Sequence, residues 1–398
     1  MPAWLAVLFA ALLAVGTDEF VIAGVLPELA ADLNVSVSAA GQLVTVFAVV
    51  YAIGAPTLAL VTSRLGRRSL IAASLLVFAA ANAGAALAPG YWPLMAARII
   101  AALAAATVAA ASFATAAAAA PEGRQGRYLA VVTAGLTVAL FTGVPAGTWL
   151  AGAVGWRSTF WLLAVIGALV AAGVLASFPR IAAGEPTSLT ERLAPLRNRG
   201  VLRLLAVTFV AASGGLMFYT YLGPFTAQVV GDSYELLSLA LLTVGLAGVG
   251  AVLLAGRATD AYGPARVLEL VLAGHGAALA LLAAIALSGR HSPVLLITGV
   301  AVWSAFAWGL NPPIQASLLA AAPQAGMTAL SLNISGLYLG TGVAGALGGA
   351  VTALADARYV PLTGALLLLG ALALAPPASR HRRQPSTAAT PVDCRSQP

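Results

Sequence analysis

The chain has 398 residues, 61% of them apolar and 8% charged, against ~45–50% and ~25% in soluble globular domains. A membrane-spanning helix takes ~20 apolar residues, so twelve of them would fill about 240 positions, close to the apolar share. That arithmetic excludes a string of soluble domains and predicts an all-α polytopic membrane protein with twelve transmembrane helices.

The residue inventory closes several functional classes. All 20 basic residues are arginine. A Walker-type phosphate loop and Schiff-base chemistry both need lysine, so ATP hydrolysis is not expected. Cys394 has no second cysteine to pair with. His275, His291 and His381 are far apart and make no metal-ligand pattern. No Ser-His-Asp ordering and no paired acids around a cleft stand out, so the chain is not read as an enzyme and no cofactor is expected. A net charge of +7 would suggest nucleic acid in a soluble protein; here its meaning depends on where the arginines fall.

Hydropathy predicts spans at 4–26, 40–61, 69–88, 93–120, 127–151 and 157–178, then 201–223, 234–256, 266–287, 293–321, 326–352 and 357–377. With both termini on one side, sixteen arginines fall in loops and tails of that side, three (Arg157, Arg290, Arg358) on the other, and Arg98 within a span. The positive-inside rule then makes both ends cytoplasmic, in a multi-pass protein of the cytoplasmic membrane. The charge marks topology, and no nucleic-acid partner is expected. A cleaved signal peptide is not expected either, because residues 1–26 lack a basic start and Asp18 and Glu19 follow the apolar run.

Along the chain, a charge in hydrocarbon costs ~2.5–3.5 kcal/mol even on the mildest scale, so each is a functional candidate. Asp18 and Glu19 lie ~12 Å and Arg98 ~7 Å from the outer ends of spans one and four at 1.5 Å per residue. The three are candidates for proton coupling, with Arg98 pairing to one of the acids; snorkelling of Arg98 to the headgroups is the alternative. The alanine run at 101–120 leaves cavity volume or lets helices pack closely. In span five, Gly143 and Gly147 permit close helix approach and Pro145 removes a backbone hydrogen bond. Residues 179–200 form the one long polar stretch between spans, which divides the chain into halves at 1–178 and 201–377; residues 378–398 read as a disordered cytoplasmic tail.

In the second half, Phe218, Tyr219 and Tyr221 of span seven offer aromatic surface. Glu269 reads as interfacial, and His275 two turns deeper as a weaker candidate for proton movement. Ser304, Trp308, Asn311 and Gln315 of span ten fall at helical spacing, one polar-aromatic stripe suited to a small-molecule site. Pro312 and Pro313 beside it suggest irregular backbone lining a cavity. Such stripes also serve as helix–helix glue. Asn333 in span eleven is a lesser candidate.

The halves echo each other: Pro93 with Pro293, Ala120-Pro121 with Ala322-Pro323, Gly135 with Gly336 and Arg157 with Arg358, at offsets of 200 to 202. A shared offset predicts two six-helix repeats, the architecture of alternating-access transporters. The loops after spans two and eight, ALVTSRLGRR from Ala59 and GRATDAYGPAR from Gly256, share one form, with Gly66 and Gly263 in the same place. This form resembles the loop signature of the major facilitator superfamily, with Ser63 where the family has an acid, Ala59 where it has glycine, and Ala261 where the second copy would be basic. The span-five pattern of Gly135, Gly143, Pro145 and Gly147 is similar to the motif of the family's proton-coupled antiporters, and the GTDEF stretch from Gly16 resembles the start of its drug exporters.

The resemblance implies two bundles rocking about a midplane site, export of a small molecule driven by the proton gradient, and a monomer in the bilayer. It assigns gating to Ser63, Arg64, Gly66, Arg67, Asp260, Gly263 and the span-five residues. It makes Glu19 the preferred proton carrier, with Asp18 standing where serine is common. It places spans one and four on the cavity and span nine at the periphery. Chloramphenicol-like drugs are the first substrate class implied, then purines, nucleosides or sugars; a passive channel or a membrane-embedded enzyme is the alternative outside the transporters.

Overall fold

The computed structural model describes residues 2–62, 65–121, 124–178, 193–289 and 292–377. Ser63, Arg64, His291, most of the linker and the whole tail lie outside the described residues. In hydrocarbon every backbone N–H and C=O must be satisfied within the segment, and the apolar runs accordingly fold as helices. These are α1 (Ala3–Phe20), α2 (Ile22–Asp32), α3 (Val37–Val61), α4 (Arg67–Ala86), α5 (Tyr91–Ala118), α6 (Gln125–Phe141), α7 (Gly143–Val154) and α8 (Trp156–Ser177). The second half contributes α9 (Arg199–Thr220), α10 (Leu222–Val230), α11 (Tyr234–Tyr262), α12 (Pro264–Leu287), α13 (Pro293–Gly309), α14 (Asn311–Ala321), α15 (Gly326–Leu354) and α16 (Val360–Leu374). Among the described residues, twelve helical stretches are long and apolar enough to cross a bilayer.

Spans one, five, seven and ten are each broken, at Val21, Thr142, Tyr221 and Leu310. Proline explains three of the breaks. Pro145, Pro224 and the Pro312–Pro313 pair lack the N–H that would reach back four residues, which frees the carbonyls of Phe141, Thr220, Trp308 and Gly309. The Asn311 side chain donates to the Trp308 carbonyl at 3.4 Å and so restores one of them. The Val21 break has no proline at that spacing.

The repeat is visible in bonds as well as in helix order. Val21 and Tyr221, the breaks of spans one and seven, are 200 residues apart. In the first half the Trp156 N–H, opening α8, donates to Glu28 at 3.2 Å. In the second, the Arg358 N–H, just before α16, donates to Gln228 at 3.1 Å. Glu28 and Gln228 are again 200 apart, so one N-terminal cap recurs in both bundles with an acid exchanged for its amide.

The bundles meet where α3 runs along α15, where α11 crosses α6 and α7, and where α2 meets α10. Their close approaches run from mid-membrane to the end away from the Arg67–Arg68 loop. Added side-chain carbons would lie 2.4 Å from Phe141 at Gly245 and 2.6 Å from Tyr234 at Gly152. The Tyr221 hydroxyl donates to the Gly345 carbonyl at 2.8 Å and fills the space beside Gly41, where a Cβ would come within 1.8 Å of it. Further along α11 toward the arginine-rich end, Gly256, on the same helical face as Gly245, meets open space. The bundles thus close over the far end and diverge toward the arginines.

Candidate functional site

Asp18 and Glu19 end α1, just before its break. Adjacent helical residues point ~100° apart, and the two acids accordingly meet different partners. Asp18 turns into the amino-terminal bundle, 0% exposed, and forms an ion pair of 2.6 Å with Arg98 Nη1, itself 1% exposed. A second guanidinium nitrogen donates to the Asp18 carbonyl at 3.4 Å. The guanidinium lies over the Phe47 ring at 4.3 Å, a stacked site that suits arginine. Arg98 therefore does not snorkel to the headgroups.

Glu19 turns the other way, to the bundle interface. Its carboxylate accepts the Tyr338 hydroxyl of α15 at 2.7 Å, and the Tyr338 ring stacks on Tyr51 of α3 at 3.9 Å between centroids. Glu19 also lines two cavities. The smaller is walled by Phe20, Phe47, Tyr219 and Tyr338 among others. The larger reaches into the carboxy-terminal bundle along Thr208, His275, Trp303, Trp308, Asn311 and Asn333. Their volumes are about 20 and 80 Å³, on a measure where one water needs ~10–15 Å³. The first has room for a single water and the second for several.

The span-ten stripe does not line the cavity along its length. Trp308 and Asn311 do. Ser304 is fully buried and its hydroxyl donates to the Val244 carbonyl of α11 at 2.6 Å, while Gln315 is exposed; neither lines either cavity. The break at Leu310 falls between Trp308 and Asn311, the two that do line it, and Ser304 and Gln315 lie about one helical turn beyond them on either side. Tyr219 lines the smaller cavity, edge-on to Phe20 at 5.4 Å. Tyr221 instead sits in the seam between bundles, and Phe218 is buried against Phe225 and Trp303. His275 departs from the expected periphery of span nine. It is 2% exposed, lines the larger cavity and accepts the Trp303 indole N–H at 3.1 Å.

The span-five glycines share one neighbour. Carbons added at Gly135, Gly143 and Gly147 would meet the Phe9 carbonyl at 2.3 Å, the Thr17 hydroxyl at 1.9 Å and Val21 at 2.7 Å. All three belong to span one, so the motif forms a track along the helix that carries Asp18 and Glu19. Pro145 is the third residue of α7, where its missing N–H leaves the Phe141 carbonyl free and the span broken at Thr142.

The model of the Major Facilitator Superfamily matches residues 8–327. The chain belongs to this superfamily. It is 35% identical over 361 residues to the "Chloramphenicol resistance protein" of Streptomyces lividans, covering 88% of this chain and 89% of that one. It is 32% identical over 352 residues to the "Uncharacterized MFS-type transporter YbcL" of Bacillus subtilis, with coverage of 88% and 89%. Among solved structures, a D-xylose-proton symporter matches with a TM-score of 0.77 at 17% identity, over 94% of this chain and 96% of that one. The chain is thus a multi-pass membrane transporter of the major facilitator fold, and not an enzyme.

The family's loop residues take up defined places at the arginine-rich end. Gly66 precedes α4, which begins at Arg67. Gly263 closes α11 at φ +85°, a left-handed conformation that glycine adopts without strain. Asp260 is exposed on the last turn of α11. Tyr51 and Tyr338 are absent from the sequence-based set of site residues. Their signal was weak, since a tyrosine in an apolar span carries no charge to single it out.

Proposed function

We propose that this transporter exports a small aromatic molecule of the chloramphenicol type in exchange for protons, with Glu19 as the proton carrier. The observation that carries this reading is the position of Glu19, a cavity-lining carboxylate hydrogen-bonded across the bundle interface to Tyr338. Asp18 is already engaged by Arg98 and lines neither cavity. A hydrogen bond to an ionised carboxylate is stronger than one to a neutral acid. The ionised form therefore holds α1 to α15 more tightly, and proton uptake loosens the tie. A group whose two protonation states differ in affinity for two bundle arrangements links proton binding to rocking.

Both termini face the cytoplasm, as the arginine distribution favours, and the divergent end of the bundles is then the cytoplasmic one. Substrate enters from that side, and alternating access carries it out as protons enter. The glycine track of span five and the loop residues Gly66, Arg67, Asp260 and Gly263 serve the change of state, as do Ser63 and Arg64. The relative from Streptomyces lividans supports the drug class by its name.

The test uses purified protein in liposomes with a pH gradient read by a trapped dye. Chloramphenicol is expected to collapse the gradient, and purine nucleosides, pentoses and lipophilic cations serve as comparisons. A solute that equilibrates across the membrane without moving the gradient would replace export with passive facilitation.

A further inference from the structure

The carboxy-terminal wall of the larger cavity holds polar groups that the proton step does not use. Trp303 and His275 are 1% and 2% exposed, and the indole N–H meets imidazole Nε2 at 3.1 Å. An indole nitrogen donates and cannot accept. Nε2 is therefore the acceptor, which assigns the neutral tautomer with its hydrogen on Nδ1. That Nδ1 is buried with no partner among the described residues. Gly215 of α9 packs directly against the Cε1–Nε2 edge of the ring, where a Cβ would come within 2.6 Å, and Gly215 itself lines the cavity.

On the same cavity, the Thr208 hydroxyl donates to Asn333 Oδ1 at 2.6 Å. This fixes the amide with its oxygen engaged, and among the described residues no acceptor meets its NH₂ group. A buried donor without an acceptor is unfavourable and is ordinarily matched by a ligand or a water. Glu19 is the single charged side chain among the lining residues, and Phe20, Trp303 and Trp308 present aromatic surface.

We propose that Asn333 and His275 form a donor subsite that reads acceptor oxygens, carbonyl or nitro, on a neutral aromatic substrate. The inference rests on reading this cavity as the export site. It separates molecules by their acceptor oxygens, because a ligand that supplies an acceptor satisfies these donors and an organic cation without one leaves them unmatched.

The experiment is calorimetric titration of the full-length purified protein in detergent, at fixed pH and without a gradient. One probe is chloramphenicol, which carries nitro and amide oxygens; the other is tetraphenylphosphonium, an aromatic cation without acceptors. Asn333→Asp keeps the shape and the bond from Thr208 while replacing the NH₂ by oxygen. It is expected to weaken chloramphenicol roughly tenfold or more and to leave the cation unchanged or bound more tightly. His275→Phe, which keeps the ring's bulk, is expected to show the same selective loss and serves if the first variant does not fold.

Equal chloramphenicol affinity in wild type and variants, equal weakening of both probes, or no chloramphenicol binding by the wild type would each overturn the subsite. Gradient collapse by the cation without chloramphenicol binding would leave proton-coupled export standing and remove the subsite. Selective binding without gradient collapse would keep the subsite and remove proton exchange.

Discussion

On the amino-terminal side of the central cavity the buried groups are charged and paired with each other, with Asp18 Oδ2 and Arg98 Nε left over among the described residues. Asp18 and Arg98 form an ion pair backed by the Phe47 ring. On the carboxy-terminal side they are neutral, Thr208 with Asn333 and Trp303 with His275, and each pair leaves a donor over. Glu19 lies between the two walls and is bonded to the second through Tyr338. Two bundles built on one repeat have thus diverged in chemistry. A buried ion pair fixes the position of α1 without offering a free charge, and a neutral polar wall suits recognition because its donors carry no full charge to desolvate.

The largest effect should follow from breaking the charged side. Arg98→Gln leaves the Asp18 carboxylate buried and unpaired, a loss of ~3–5 kcal/mol, seen as a marked fall in thermal unfolding temperature in detergent. Adding Asp18→Asn removes the stranded charge and should recover much of that loss. If the double variant is no more stable than the single one, the pair is not what holds α1 there.

A smaller effect tests the link between the walls. Tyr338→Phe keeps the stacking on Tyr51 and removes the hydroxyl that Glu19 accepts. A hydrogen bond to a charged group contributes ~1.5–3 kcal/mol. We expect proton-driven export in liposomes to slow roughly tenfold, with substrate affinity unchanged. An unaltered rate would show that the bond across the interface does not serve the cycle.

The smallest effect lies outside the spans. Arg157 donates to Asp32 at the far end of the amino-terminal bundle, and that bond, helped by one from the Trp156 indole, holds the Asp32 carboxyl below its ordinary value of 3.8. A lowered folded-state value contributes stability above the unfolded value, lost as pH falls through the folded one. The pair is 40% and 44% exposed, so solvent screening limits it to ~1 kcal/mol or less. Asp32→Asn should melt slightly below wild type at pH 7, and the gap should close below about pH 4. A gap that persists in acid would assign the loss to packing.

Much of this was readable from residue order. The twelve spans followed from apolar runs long enough for a bilayer, and the repeat from the matched positions near 200 residues apart. That two adjacent acids would not face the same cavity followed from the helical period. The choice of partner did not, because Arg98 is within reach of either until the rotation of α1 is fixed by the Gly135–Gly147 track. The span-ten stripe reaches the cavity only at Trp308 and Asn311, beside the break at Leu310; periodicity gives a face but not how far along it the cavity extends, and one turn away Ser304 is taken up by α11. Tyr338 is a neutral residue of span eleven, where Asn333 alone stood out, and His275 comes to the cavity from a span expected at the periphery. Their contacts reach across 319 and 28 residues, a pairing that no local spacing encodes.

The most direct test of Glu19 as proton carrier is Glu19→Gln in liposomes, with gradient-driven export and substrate-for-substrate exchange measured on the same preparation. The account predicts that the driven flux is lost while exchange continues, since the neutral side chain keeps its size and a polar group toward Tyr338 but cannot release a proton. Export that still follows the pH gradient in Glu19→Gln would contradict it.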